Sequence, residues 1–258
     1  MPELVASAGP ARLPGSGPVL AGQVRYQLLL TMRNPRALVA GVALPLLLLV
    51  LASSQHTHLA VSALAGRVVL GVTLTAYLTH ASGLVAAREA GVLKRWRATP
   101  LPRWCYFAGR TCATVLMALA SGAVTVAAGA LAYHARLSAG AALSLLVALT
   151  LGALAWASAG TAITAVIPTT DAAQPVLSLS YFPVMLLSGV LGAFSGAPSW
   201  LSTLLGYLPG QPTLDAVTRA LHTTGTSLSL PGHDLAGWAI GALLASLRLF
   251  QWEPRAPR

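Results

Sequence analysis

The chain has 258 residues, 55% hydrophobic and only 9% charged, with 16 Lys and Arg against 6 Asp and Glu. Soluble domains carry about a quarter of their residues as charges, so this composition, with a mean hydropathy of +0.71, excludes an ordinary soluble domain and describes an integral membrane protein. The formal charge of +10 does not indicate nucleic acid, because the basic residues lie between apolar runs and form no face with interleaved aromatics; anionic lipid headgroups and a protein partner are the expected neighbours.

Residues 1–17, rich in Pro, Gly and Ser, have no apolar segment behind a basic start and read as a disordered cytoplasmic tail, not a cleaved signal. Residues 18–36 (PVLAGQVRYQLLLTMRNPR) place Leu20, Val24, Leu28 and Met32 on one i, i+4 row, with Arg25 and Arg33 elsewhere. That pattern suits a helix lying in the inner interface; the alternative is an N-terminal extension of the first span. A membrane crossing takes about 20 apolar residues, and the gaps between charges yield six such segments. They cover 37–55, with Pro45 as a kink, 68–87, interrupted only by His80, 105–133, 139–167, 175–194, containing Pro183, and 235–252, where Arg248 has to snorkel. Between the last two, residues 197–222 hold two short apolar stretches broken by Pro209 and Pro212, with Thr213 as a cap for the second. Each is too short to cross, so an outer re-entrant hairpin is expected. The fold class is all-α, a polytopic membrane protein of six transmembrane helices.

Orientation follows from the basic residues. With both termini cytoplasmic, the inner side holds Arg12, Arg25, Arg33, Arg36, Arg88, Lys94, Arg95, Arg97, Arg103, Arg110, Arg248, Arg255 and Arg258, and only Arg67, Arg136 and Arg219 fall outside. Lys94 is the only lysine, a bias expected of a GC-rich bacterial genome and hence of a bacterial plasma membrane. Cys105 and Cys112, seven residues apart on one helix face, are too distant to bond within a regular helix and read as structural thiols.

Absences narrow the function. All six acids, Glu3, Glu89, Asp171, Asp215, Asp234 and Glu253, fall in loops, tails or membrane edges, whereas ion-coupled carriers keep a carboxylate at membrane depth. Only His80 could titrate there, and a lone helical His is more often hydrogen-bonded structure than a proton relay. The chain has no G-x-x-x-x-G-K-[ST] loop, so it does not bind ATP by that route, and no G-x-S-x-G or H-E-x-x-H motif. His56 and His58 lack a third ligand for a metal.

The remaining charge is concentrated in 88–104, REAGVLKRWRATPLPRW, with five basic residues and one acid. Gly91 suits a tight turn, and Pro100 disfavours helix at Thr99 and ends a short helix. Leu93, Trp96 and Leu101 offer apolar contact, and Lys94, Arg95 and Arg97 can face acidic groups or lipid phosphates. This segment resembles the cytoplasmic signature of the ABC-2 type transporter permeases at Glu89, Gly91, Leu93, Thr99, Pro100 and Leu101, with Val92 where that family often has Thr. RYQLLLTMRNPRALVAGVALPLL and RLFQWEPR are similar to the start of its first span and to its carboxyl end. The resemblance implies a six-helix permease half that dimerises and pairs with a separate cytoplasmic subunit carrying ATP and Mg²⁺, no cofactor being held by this chain. It also implies that loop 88–104 docks on that subunit as a coupling helix, through Glu89, Gly91, Leu93, Arg95, Trp96, Arg97, Thr99, Pro100 and Leu101. Glu89 could cap that helix, pair with Arg88 or Arg97, or touch the partner. The acid-poor spans point to export of an amphipathic or hydrophobic compound such as a drug or antibiotic. The rival readings are a membrane-anchored assembly or immunity protein and a self-sufficient secondary carrier.

Overall fold

The computed structural model describes residues 15–53, 60–99, 103–132, 137–191, 208–223 and 229–249, with 203, 206, 225 and 227; among them the chain is helical and contains no strand. The expected tail 1–17 and the pair His56 and His58 lie almost wholly outside the described residues. Helix α1 (Ser16–Met32) is followed by α2 (Pro35–Leu38), a π-turn (Val39–Ala43) and α3 (Leu44–Ser53). The Asn34 side chain accepts the N–H of Arg36 at 3.1 Å and of Ala37 at 3.4 Å, and Pro35 sits at the first position of α2, so Asn34 caps a new helix where Pro35 cannot continue the old one. The chain turns by 82° there, which rules out a straight extension of the first span.

The second span is a continuous helix, Val61–Glu89, made of α4 (Ala60–Thr73), a second π-turn (Leu74–Thr79) and α5 (His80–Glu89). A short helix α6 (Val92–Arg97) leads to α7 (Arg103–Ala132), α8 (Ala139–Ile163) and α9 (Thr170–Leu187), and α10 (Gly210–Leu221) and α11 (His233–Leu249) complete the chain. By length and composition three helices, Val61–Glu89, Trp104–Ala132 and Ala139–Ile163, are long and apolar enough to cross a membrane, and the bent pair formed by α1 with α2 and α3 makes up to four. Helices α9 and α11 fall on the fifth and sixth expected segments.

Several boundaries differ from those expected, each for a local reason. Helix α8 stops at Ile163, because Pro168 pushes Ile167 out of helical conformation. Helix α9 starts at Thr170, earlier than the first apolar residue, because the Thr169 hydroxyl accepts the Ala172 N–H at 3.3 Å. Thr213 is not a cap: α10 begins at Gly210, and the buried Thr213 hydroxyl donates back to the Pro209 carbonyl from inside the first turn. Most of the first half of the expected outer hairpin, 197–207, lies outside the described residues.

The core centres on the second span, 78% of whose most apolar window is buried, against 56% for α8 and 33% for α7. Tyr77 stacks on Tyr181 at 5.8 Å, and Trp156 meets both edge-on at 5.4 and 5.7 Å, the arrangement that aromatic quadrupoles favour. The phenols find partners inside the bundle, Tyr181 with the Thr73 hydroxyl at 2.7 Å and Tyr77 with that of Ser180 at 2.8 Å. Helix α1 turns Gln23 and Gln27 inward against α7 and leaves Tyr26, Leu29, Leu30 and Met32 exposed. Its apolar row of Leu20, Val24, Leu28 and Met32 lines an outward groove.

Candidate functional site

The segment 88–99 is built from the end of α5 and the whole of α6. Helix α5 closes on Ala90 and Gly91, whose N–H groups bond to the carbonyls of Ala86 at 2.9 Å and Arg88 at 3.1 Å. Gly91 stands at φ +70°, the left-handed conformation that ends a helix and that glycine adopts without a Cβ penalty. The same residue starts α6, its carbonyl accepting the Arg95 N–H at 3.1 Å. A Cβ at position 91 would meet nothing within 4 Å, so Gly91→Ala is expected to cost only backbone strain, about 1 kcal/mol, measurable as a lowered unfolding midpoint in detergent.

Helix α6 has two faces. Leu93 is fully buried against Leu84 and Tyr106, and Trp96 packs beside it, its ring 5.5 Å from that of Tyr106. Val92, Lys94 and Arg95 are exposed. Leu93 therefore anchors the helix to α5 and α7 and is not offered outward, contrary to the expectation that it presents apolar contact; Trp96 is half-buried beside it, and Arg95 is exposed. Thr99 is exposed and its hydroxyl donates to the Trp96 carbonyl at 2.7 Å, fastening the last turn. Arg97 ends α6 with its side chain outside the described residues, as are Pro100 and Leu101 altogether.

Glu89 does not cap α6. Its Oε2 accepts the N–H of Thr170 at 3.0 Å and also the Thr170 hydroxyl, so it caps the start of α9, where the helix dipole favours a carboxylate. The hydroxyl first and the N–H second hold its carboxyl below the ordinary carboxylate range; burial opposes them slightly, and Arg88 adds a smaller lowering. Arg88, which sequence reasoning treated as a topology-setting charge, is instead buried at 4% exposure. Its Nη1 donates to the Thr164 carbonyl at 3.0 Å and its Nη2 to that of Ile167. Adjacent residues at the end of the second span thus grip both sides of the turn between α8 and α9. The Thr169, Thr170 and Asp171 run signals a helix start, but nothing in the sequence shows that an acid 81 positions away completes it.

His80 is engaged at both nitrogens, Nε2 with the Thr161 hydroxyl at 3.0 Å and Nδ1 with that of Thr114 at 2.7 Å. The single hydroxyl proton of Thr161 is already given to the Ala157 carbonyl at 2.9 Å, so Thr161 accepts from His80 and the imidazole carries its proton on Nε2. The ring is a cross-brace between α7 and α8. Among the described residues no three His, Cys, Asp or Glu side chains come together as a metal site. Cys105 is buried, Cys112 exposed, and both are free.

A six-residue helix is anchored by Leu93 and Trp96, carries exposed cations, and is joined through α5 to the start of α9. The ABC-2 type transporter family matches residues 23–221, from the inward face of α1 to the end of α10, and includes this whole segment. A comparison with curated proteins gave no match. Domains of this family are membrane permeases that lack the ATP-binding cassette and work with a separate ATP-binding subunit. With the match covering well over half of the sequence and the helices arranged as described, the chain belongs to the ABC-2 type transporter family.

Proposed function

We propose that the chain is the membrane half of an exporter in the bacterial plasma membrane, moving an amphipathic or hydrophobic compound, of the drug or antibiotic class, at the expense of ATP and Mg²⁺ bound by the separate subunit. In this reading two copies form the pathway, each with six spans and both termini cytoplasmic, α1 lies in the inner interface, and α9 and α11 serve as spans five and six. Helix α6 docks on the ATP-binding subunit through Val92, Lys94 and Arg95, and Leu93, Trp96 and Gly91 hold it in place. The observation that carries the reading is the pair of links from the end of α5 to the α8–α9 turn, Arg88 to Thr164 and Ile167 and Glu89 to Thr170. A displacement of α6 cannot move the end of α5 without moving the start of α9, so a push from the cytoplasm reaches two spans at once. The cargo class rests on the acids: those among the described residues, Glu89, Asp171, Asp215 and Asp234, lie at helix ends or in α10 and leave the spans without a fixed negative charge.

The test is co-purification and reconstitution. The double variant Lys94→Glu/Arg95→Glu reverses an exposed charge pair without touching the core. It is expected to keep the wild-type unfolding midpoint while lowering retention of the ATP-binding subunit and ATP-dependent efflux from vesicles about tenfold or more. Unchanged retention and unchanged efflux in that variant would remove α6 as the docking element.

A further inference from the structure

The second span holds α9 at its far end as well as at its start. Arg67 stands near the end of the helix Val61–Glu89 opposite to Arg88 and Glu89, and its Nη1 donates to the Val190 carbonyl at 3.4 Å, in the turn that follows the last residue of α9, Leu187. We propose that Arg67 is a positioning residue, which fixes the far end of α9 to the second span so that the two helices move as one strut. The proposal rests on the exporter reading above and extends it from the docking side to the opposite end of the bundle.

The turn is shaped to be held. Gly189 stands at φ +75°, the left-handed conformation that closes a helix, and this lays the buried Val190 against the backbone of Gly66, where a Cβ would stand 2.5 Å from the Val190 carbonyl oxygen. On its other side the Ser188 side chain fits against Gly210, whose own Cβ would collide with it. The turn is therefore seated between the second span and the start of α10. Helix packing does not make the bond from Arg67 redundant, because α4 packs chiefly on α3, α7 and α10. Nor is α9 stiff by itself, since Pro175 and Pro183 lie inside it and each removes a backbone hydrogen bond. Tyr77 bonded to Ser180 at 2.8 Å and Thr73 bonded to Tyr181 at 2.7 Å hold it before Pro183, and the Thr73 hydroxyl lies 3.7 Å from Met185 Sδ beyond it. With Glu89 at Thr170 and Arg67 at Val190, the ties run antiparallel along the whole of α9. Chains of hydrogen bonds on rigid elements carry displacement between distant sites, here over the 18 residues of α9, about 27 Å of helix, to α10.

The first measurement is amide hydrogen exchange on the purified full chain in detergent. Arg67→Gln is expected to speed exchange in residues 184–190 about tenfold and to leave residues 170–176 unchanged, with Arg67→Lys restoring most of the protection. Gly66→Ala keeps the charge but pushes the Val190 carbonyl away, and is expected to act like Arg67→Gln; it decides the matter if Arg67→Gln does not fold. The second measurement uses vesicles holding the chain with its ATP-binding subunit. There Arg67→Gln is expected to hydrolyse ATP within about twofold of wild type while efflux per ATP falls about fivefold, again with recovery in Arg67→Lys. Exchange in 184–190 that neither Arg67→Gln nor Gly66→Ala alters overturns the clasp. Faster exchange with unchanged efflux per ATP, or a loss that Arg67→Lys does not recover, overturns the positioning role. A wild-type protein without ATP-dependent efflux removes the exporter reading and the transport role of Arg67 with it, and the exchange data on the chain alone still decide the clasp.

Discussion

Arg88→Met is expected to lower the stability of the purified protein by about 3 kcal/mol, among the largest effects of any single replacement in the segment 88–99. The guanidinium makes charge-assisted bonds to two main-chain carbonyls just beyond the end of α8, each worth about 1.5–3 kcal/mol, and removing the donor leaves buried acceptors unpaired. Methionine fills much of the same volume, so the loss reports the hydrogen bonds and not a cavity. Arg88→Lys restores the charge but offers no planar fork to two acceptors and is expected to recover less than half of the difference. Unfolding midpoints in detergent measure both. Equal midpoints for wild type and Arg88→Met would mean that the grip on the α8–α9 turn contributes nothing to the fold.

The second large effect is at Leu93. Its truncation to alanine is expected to cost about 3 kcal/mol, as for other fully buried leucines, because the side chain is 0% exposed between Leu84 and Tyr106. Val92→Ala, one position earlier and 37% exposed, is expected to change stability by less than about 0.5 kcal/mol. The contrast fixes the rotation of α6 about its axis. A larger loss at Val92 than at Leu93 would place the helix with its other face inward and would withdraw Lys94 and Arg95 as the outward cations.

What could be read from the sequence, and what could not, divides along physical lines. The second, third and fourth spans follow from uncharged length alone, because hydrocarbon imposes that length on any crossing helix. Gly91 could be assigned to a turn from its residue type, and Pro35 behind Asn34 marks the bend after α1. The rotation of α6 was not legible: six residues give less than two turns of periodicity, and the neighbours on α5 and α7 decide which side is buried. Nor were the partners of Arg88 and Glu89, since hydrogen bonds spanning 76 to 81 positions leave no local pattern. Thr213 misled for a related reason, as a threonine near a helix start serves equally well as a cap or as a back-bonded residue one turn in.

The π-turn at Leu74–Thr79 has a further consequence, of register. Such a turn carries one more residue than an α-turn, and each residue rotates a helix by about 100°. The half of the span before it packs on α3, α7 and α10 and touches α8, whereas the half after it packs on α8 and α9. A related chain with one residue fewer in this interval would keep its composition, its hydropathy and its ability to cross a bilayer. It would also carry Arg88 and Glu89 about a quarter-turn away from the carbonyls and the helix start they now hold. The contact between the end of α5 and α9 therefore depends on a count of residues in the middle of the second span, far from every group that makes it.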